Sequence, residues 1–248
     1  SVLVTLIVAA VLWGTDGFSG RDQGEIGDLR RSVYNGFMPR NELIRLGTCH
    51  LKSASSLADF DEKKCSAPQP GKYNALVIGD SLAADTYMML SQTYPEIQVG
   101  QATAAGCPPL LTIPRKIYDA CLDLNKLRLE TLARQDFDIV VLAALWKQEH
   151  IPNLTETVLF LQGMGKKVLV FGPRIRFSEN VRLLMAQQGS VENINTNLSE
   201  KADRHEGLFT EIVNALPGTP VIDMVALQCT PVCDVIDNGE VLYADRHH

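Results

Sequence analysis

From Tyr73 to the end of the chain, short apolar runs alternate with amphipathic stretches, and this alternation restricts the architecture more than any other feature of the sequence. "NALVIGD" (74–80), "IQVGQA" (97–102), "FDIVVLAAL" (137–145), "KKVLVFGP" (166–173) and "TPVIDM" (219–224) read as strands. Near-continuous apolar runs are what strands covered on both faces require. Between them, "AADTYMMLSQTYP", "KIYDACLDLNKLRLETLAR" and "LTETVLFLQGMG" carry apolar residues at helical spacing, and further helices are predicted over Glu179–Gln187 and Ser199–Leu216. Strands alternating with helices of this length predict an α/β fold, a three-layer α/β/α sandwich around a five-stranded, mainly parallel sheet. Ligands of such sheets bind beyond the carboxyl ends of the strands. The candidate site residues are therefore Gly79-Asp80-Ser81, Ala104 to Cys107, Trp146 to Gln148, Gly172 to Arg174, and the final segment Tyr243 to His248.

The residues ahead of this pattern have a different character. "SVLVTLIVAAVLWG" (1–14) is uncharged and ends on Trp13 and Gly14. It is shorter than the roughly 20 residues that span a bilayer, and it lacks the basic start and cleavage site of a signal peptide. It is expected to be the end of a transmembrane helix with Trp13 at the interface; a buried strand or core helix is the alternative. Residues 15–72 are broken by glycines, charges and prolines, as in "GRDQGEIGDLRR" and "CSAPQPGKY". They read as an extracytoplasmic linking extension with helices near Leu29–Tyr34 and Asn41–Gly47, followed by one domain over 73–248. A formal net charge of −6 leaves no basic field for nucleic acid.

Six cysteines fall as sequential pairs, Cys49 and Cys65, Cys107 and Cys121, Cys229 and Cys233. Six thiols allow about 15 connectivities, so the nearest-neighbour pairing is one choice among them. Disulfides imply an oxidising compartment. Zinc is the other reading, but "CTPVC" has no second matching pair and no histidine spaced for ligation, so no metal is expected.

Two places on the strand-end rim carry chemistry. Ser81 stands at a strand-to-helix junction where Gly79 permits a tight turn, which suits a nucleophile beside an oxyanion donor; an N-cap is the alternative role for that serine. At the other end of the chain, Asp245 and His248 share a face at i and i+3, so the carboxylate can orient the imidazole toward Ser81. His247, two residues from Asp245, is the competing base. His50, His150 and His205 show no comparable acidic partner and read as surface or structural histidines. An affinity tag and a metal site are weaker readings of the final "DRHH".

"GDSL" around Ser81, a glycine after the second strand at Gly106, and the D-x-x-H block Asp245–His248 occur in order at the right strand ends, and with them Tyr73 to His248 resembles the SGNH/GDSL hydrolase superfamily, which is flavodoxin-like. With the apolar stub and linker, the resemblance is greatest to SGNH domains fused behind a membrane acyltransferase-3 domain, which O-acetylate surface polysaccharides of bacteria, including lipopolysaccharide O-antigen. The resemblance implies Ser81 as nucleophile, Asp245 as orienting acid, His248 as general base, and the backbone N–H groups of Ser81 and Gly106 as oxyanion donors. It implies a polysaccharide acceptor, a transmembrane acyltransferase-3 domain in the same polypeptide, and no cofactor in this stretch. The acetyl donor, derived from acetyl-CoA, would arrive through the membrane domain. The implied location is the bacterial inner membrane, with residues after about 15 in the periplasm. The superfamily's third block supplies an oxyanion asparagine, whereas "LAALWKQ" here has none. Trp146 stands near that place as an indole donor or as an aromatic wall for a sugar, and Arg174 is a candidate acceptor contact beside Arg176. The same motifs fit an acetyl-esterase using water as acceptor, and a carbohydrate-binding module is the non-enzymatic alternative.

Overall fold

The computed structural model describes residues 40–114, 117–178, 181, 194–200, 202–229, 232–233, 235–237 and 240–241. Asp245, His248, the apolar stub, the helix expected at Leu29–Tyr34 and nearly all of the one expected at Glu179–Gln187 lie outside them.

The sheet is built from β1 (His50–Leu51), β2 (Asn74–Gly79), β3 (Gln98–Ala104), β4 (Ile139–Ala143), β5 (Lys167–Phe171) and β8 (Val221–Ile222), in the order β1-β3-β2-β4-β5-β8. Every neighbouring pair is parallel. The reason for the unbroken apolar runs is visible in β2 and β4. Leu76, Ile78, Val140 and Leu142 point into the core on one face, while Val77, Val141 and Ala143 point into the core on the other. On the first face pack α3 (Asp119–Lys126), α4 (Ile151–Gly163) and α6 (Glu206–Ala215). On the second pack α2 (Ser81–Thr93) and the short α7 (Met224–Gln228).

The sheet has six strands rather than five because the extension supplies one. His50–Leu51 pairs with Thr103 and Ala104 of β3. Two polar residues of β3, Gln101 and Thr103, are fully buried, and the extension is what satisfies them. Gln101 Nε2 donates to the Ile44 carbonyl at 3.0 Å, Arg45 Nε donates to Gln101 Oε1 at 3.2 Å, and His50 Nδ1 lies 3.0 Å from Thr103 Oγ1. A bridge from Cys49 to Cys65, near the end of α1 (Glu62–Ser66), pins the same segment. Residues 40–72 are thus part of the folded unit, with a helical start over 40–43.

The predicted helix Ser199–Leu216 is interrupted. α5 (Ile194–Ser199) ends there, and β7 (Ala202–Asp203) pairs antiparallel with β6 (Arg176–Phe177), matching Arg176 to Asp203. Sheet pairing overrides local helical spacing, and α6 restarts after His205. The long stretch 116–134 also changes form: after α3 it passes through a π turn, Leu127–Thr131, and a 3-10 turn, Leu132–Arg134. A satellite core of Ile175, Phe177, Val181, Leu198, Val225, Cys229, Cys233 and Val235 joins the β5–α6 connection to the segment after α7. That segment leads through β9 (Ile236–Asp237) and β10 (Glu240–Val241) toward the chain end.

Candidate active site

The strand order reverses direction at β2, whose neighbours are β3 on one side and β4 on the other. Such a switch point opens a crevice at the strands' carboxyl ends, and Ser81 is the first residue of α2 there. The turn that delivers it depends on Gly79. Its φ is +152°, and an added Cβ would collide with the Ala143 carbonyl and come within 2.6 Å of Ala83 Cβ. Gly79→Ala is expected to lower stability by about 2–3 kcal/mol through this forced overpacking, seen as a lower urea midpoint.

The capping role offered for Ser81 belongs to Asp80. Its carboxylate accepts from Leu82 N at 2.9 Å and from Leu145 N at 2.7 Å. One buried side chain therefore caps α2 and fastens the end of β4 to the serine's turn. Ser81 itself is half-buried at the first helical position.

Across β3, Gly106 sits at φ +62° in open space, so the requirement for glycine is conformational. Its loop is held on every side. Cys107 is bridged to Cys121 on α3, Tyr118 Oη donates to the Ala105 carbonyl at 2.7 Å, and Ala105 N donates to Leu51 O at 2.9 Å. The three disulfides follow the sequential pairing, the third being Cys229–Cys233. All six thiols are thereby consumed. Among the described residues, no group of three or more His, Cys, Asp or Glu side chains is placed to hold a metal ion.

Beneath both loops lies Arg128, fully buried in the π turn. Its Nη1 donates to Gly79 O at 2.9 Å and reaches Ala102 O at 3.3 Å; its Nη2 donates to Cys107 O at 3.0 Å. A planar fork with divergent N–H groups suits such a bridge, which a point-charge lysine cannot reproduce. Burial pushes the guanidinium down to about 9, with Tyr118 and Asp80 pulling it back up, so it is charged at neutral pH. Burial likewise raises the Tyr118 hydroxyl, which Arg128 draws down again. Arg128 was missed in the sequence, yet a signal exists: it stands four residues from both Leu124 and Leu132, on the apolar face of its helix.

Two further candidates take different places from those expected. The Trp146 indole N–H donates to the Phe171 carbonyl at 2.7 Å, and the ring is only 4% exposed. Its single proton is already given, so the indole is not an oxyanion donor. Arg174 is turned inward. It donates from Nη2 to Thr86 Oγ1 at 2.9 Å and to Leu82 O at 3.2 Å, and its Nη1 lies 3.8 Å from Asp85. Arg40 of the extension meets the same Asp85 at 2.6 Å. These two cations brace the first turns of the helix that begins with Ser81, which is a positioning task rather than contact with an acceptor.

Beyond Leu145 the rim opens into a cleft of about 320 Å³, lined by Lys147, Gln148, Arg176, His205, Leu208 and Glu211, among others. His205 has an acidic partner after all: its Nδ1 lies 3.2 Å from Asp203 Oδ2, and its backbone N donates to Asp203 Oδ1 at 3.0 Å. The residue adopts a left-handed conformation, φ 50°, which closes the turn and brings the ring back to the carboxylate. The missed signal is a short repeat. Ala-Asp-Arg-His occurs at 202–205 and again at 244–247. In the described copy the carboxylate pairs with the histidine two residues on, so an i, i+2 contact of this kind needs only one left-handed residue.

Comparison with known proteins agrees with this architecture. No curated protein sequence matches the chain. Among solved structures, the periplasmic domain of a lipopolysaccharide acetyltransferase from Salmonella ser. Paratyphi A superposes with a TM-score of 0.64, covering 87% of this chain and 90% of that one at 20% identity, which establishes a shared fold. The family described as the SGNH domain (fused to AT3 domains) matches residues 48–248, a span that opens inside the extension and so includes β1. With its parallel sheet, its serine at the switch point and that match over most of its length, the chain belongs to the family of SGNH domains fused to AT3 domains.

Proposed function

We propose that this chain is the extracytoplasmic acyl-transferring domain of a polysaccharide O-acetyltransferase, working through Ser81 with Asp245 and His248. The observation that carries the reading is the turn at the switch point. Asp80 takes the capping task, and Ser81, half-buried, is the first residue of α2 at the carboxyl end of β2, where the switch-point crevice opens. The family is described as SGNH domains fused to AT3 domains. That fusion supports a membrane-bound partner domain in the same polypeptide and a periplasmic position for the residues after about 15. Among the described residues no helix is long and apolar enough to cross a membrane.

In the first half of the reaction, His248 takes the Ser81 proton as the oxygen attacks the acetyl carbonyl, and the donor's leaving group departs with that proton. The backbone N–H groups of Ser81 and Gly106 face the developing oxyanion. In the second half, His248 takes the proton of a sugar hydroxyl, a new C–O bond forms to the sugar oxygen, the bond to Ser81 breaks, and the serine oxygen recovers the proton. The acetyl donor comes by way of the membrane domain, and this stretch supplies no cofactor. A lipopolysaccharide-type acceptor is drawn from the activity named for the Salmonella structure.

Brief exposure of the full-length protein to an activated acetyl ester, followed by peptide mass analysis, is expected to find one acetyl group on the Ser81 peptide, discharged when polysaccharide is added. An adduct that forms elsewhere, or polysaccharide acetylation that persists with no adduct at Ser81, would overturn the reading.

A further inference from the structure

Asp203 and His205 do not belong to the proposed triad, and the cleft that His205 lines has no task in the acetylation of Ser81. Its location, however, is close to that chemistry. Leu145, on the cleft wall, donates its backbone N–H to Asp80, the residue before Ser81. The cleft therefore opens from the β2–β4 switch point, on the opposite side of the serine from the Gly106 loop.

Its lining has two parts. Leu145, Trp146 and Leu208 provide an apolar floor, and Lys147, Gln148, Arg176, His205 and Glu211 provide a polar rim. That division suits a pyranose, whose C–H face rests on apolar atoms while its hydroxyls meet donors and acceptors around the edge. The volume lies at the small end of ligand clefts, about 300–1,000 Å³, and fits one or two sugar residues rather than a long chain.

The rim groups are held in place before any ligand arrives. Asp203 takes His205 Nδ1, leaving Nε2 as the ring's other polar edge, and the left-handed backbone at His205 costs about 1 kcal/mol. Strain of this kind collects at functional sites. The backbone of Arg176 is fixed by the β6–β7 pairing, opposite Asp203, and its side chain makes no ion pair among the described residues. Gln148 is steadied by Glu211 at 3.3 Å.

We propose that this cleft is the acceptor subsite, in which Arg176, His205 and Gln148 hold one saccharide unit of the polysaccharide and turn its hydroxyl toward acetyl-Ser81. The proposal rests on the acyl-transfer reading of Ser81. It makes this cleft, on the β4 side of the serine, the determinant of which sugar is acetylated.

The test measures binding apart from chemistry. Full-length Ser81→Ala protein is titrated calorimetrically with polysaccharide from the cells that make it, after alkaline de-O-acetylation. Adding Arg176→Ala or His205→Ala is expected to weaken binding at least tenfold. In the Ser81-containing protein the same changes are expected to raise the acceptor KM about tenfold, with kcat falling less than threefold. The exposed Gln148→Ala, which disturbs only a surface hydrogen bond, serves if either variant fails to fold and is expected to weaken binding about threefold. Binding that is undetectable, or unchanged in folded variants, would overturn the subsite. Equal loss of kcat without a change in KM would also overturn it, by moving these residues into the chemistry. If no acetyl-Ser81 forms while the variants still weaken binding, the chemistry proposed for Ser81 fails and the subsite stands.

Discussion

Ser81→Ala is expected to reduce acetyl transfer by at least about 10⁴-fold, the scale on which a nucleophilic serine acts together with its base. It is expected to leave the protein folded. The helix cap and the link to β4 both reside in Asp80, so the loss of the Ser81 hydroxyl is expected to cost about 1 kcal/mol, the usual size for a point substitution. Melting temperature and polysaccharide O-acetylation in cells carrying the variant separate the two effects. A stable Ser81→Ala protein that still acetylates would remove this serine from the mechanism. Asp80→Ala gives the converse pattern: loss of a cap costs about 1 kcal/mol, and the unpaired Leu145 N–H adds to that.

Arg128→Met is the second large effect. Methionine matches the stem of the arginine but removes the fork joining Gly79 O to Cys107 O. Two opposing terms set the stability change. Carbonyls left without donors cost about 1–3 kcal/mol each, while removing a buried cation returns its desolvation cost, and apolar replacements of buried charges are often neutral or better. The net loss is therefore expected to be modest, about 1–2 kcal/mol. Activity is expected to fall about 10²-fold, because displacement of a reacting group by roughly 1 Å costs that much. The turn at Gly79 and the loop at Gly106 both hang from this side chain. The loss should fall on kcat rather than KM, and Arg128→Lys should not restore it, since an ammonium cannot span two divergent acceptors. Restoration by lysine, or a loss that merely follows the unfolded fraction, would reduce Arg128 to a packing residue. The guanidinium stays protonated in the folded and unfolded chain alike until pH approaches about 9. Below about pH 8 the group therefore adds no pH dependence to stability.

The core of the architecture was legible without coordinates because parallel strands buried on both faces must be apolar at successive positions, and "LVIG", "IVVLAA" and "VLVF" satisfy that in only one way. The places of Ser81 and Gly106 after their strands were legible for a related reason: positions after such strands converge on one rim whatever the details. What the extension contributes was not legible, because it is two residues of edge strand and a set of polar contacts to Gln101 and Thr103, and hydrophobic periodicity carries no record of either. The break before α6 was hidden for the same reason, since Ala202–Asp203 is a strand only through its partner Arg176–Phe177.

Local chemistry and its neighbours in space divide the remainder. By itself the sequence determined a doubly covered parallel sheet, the order of its strands along the chain, and a serine turn at a strand end, because each follows from periodicity and backbone sterics within a few residues. Only the tertiary structure decided that Asp80 caps the helix, that Trp146 has given away its proton, that Arg174 faces inward, and that Arg128 and the Asp203–His205 pair stand on either side of the serine turn. Trp146, Arg174 and Arg128 take hydrogen-bond partners 21 to 92 positions away, Asp80 caps locally while its other oxygen holds Leu145 N, 65 positions on, and Asp203–His205 depends on a left-handed turn; the distant choices are made when the strands align.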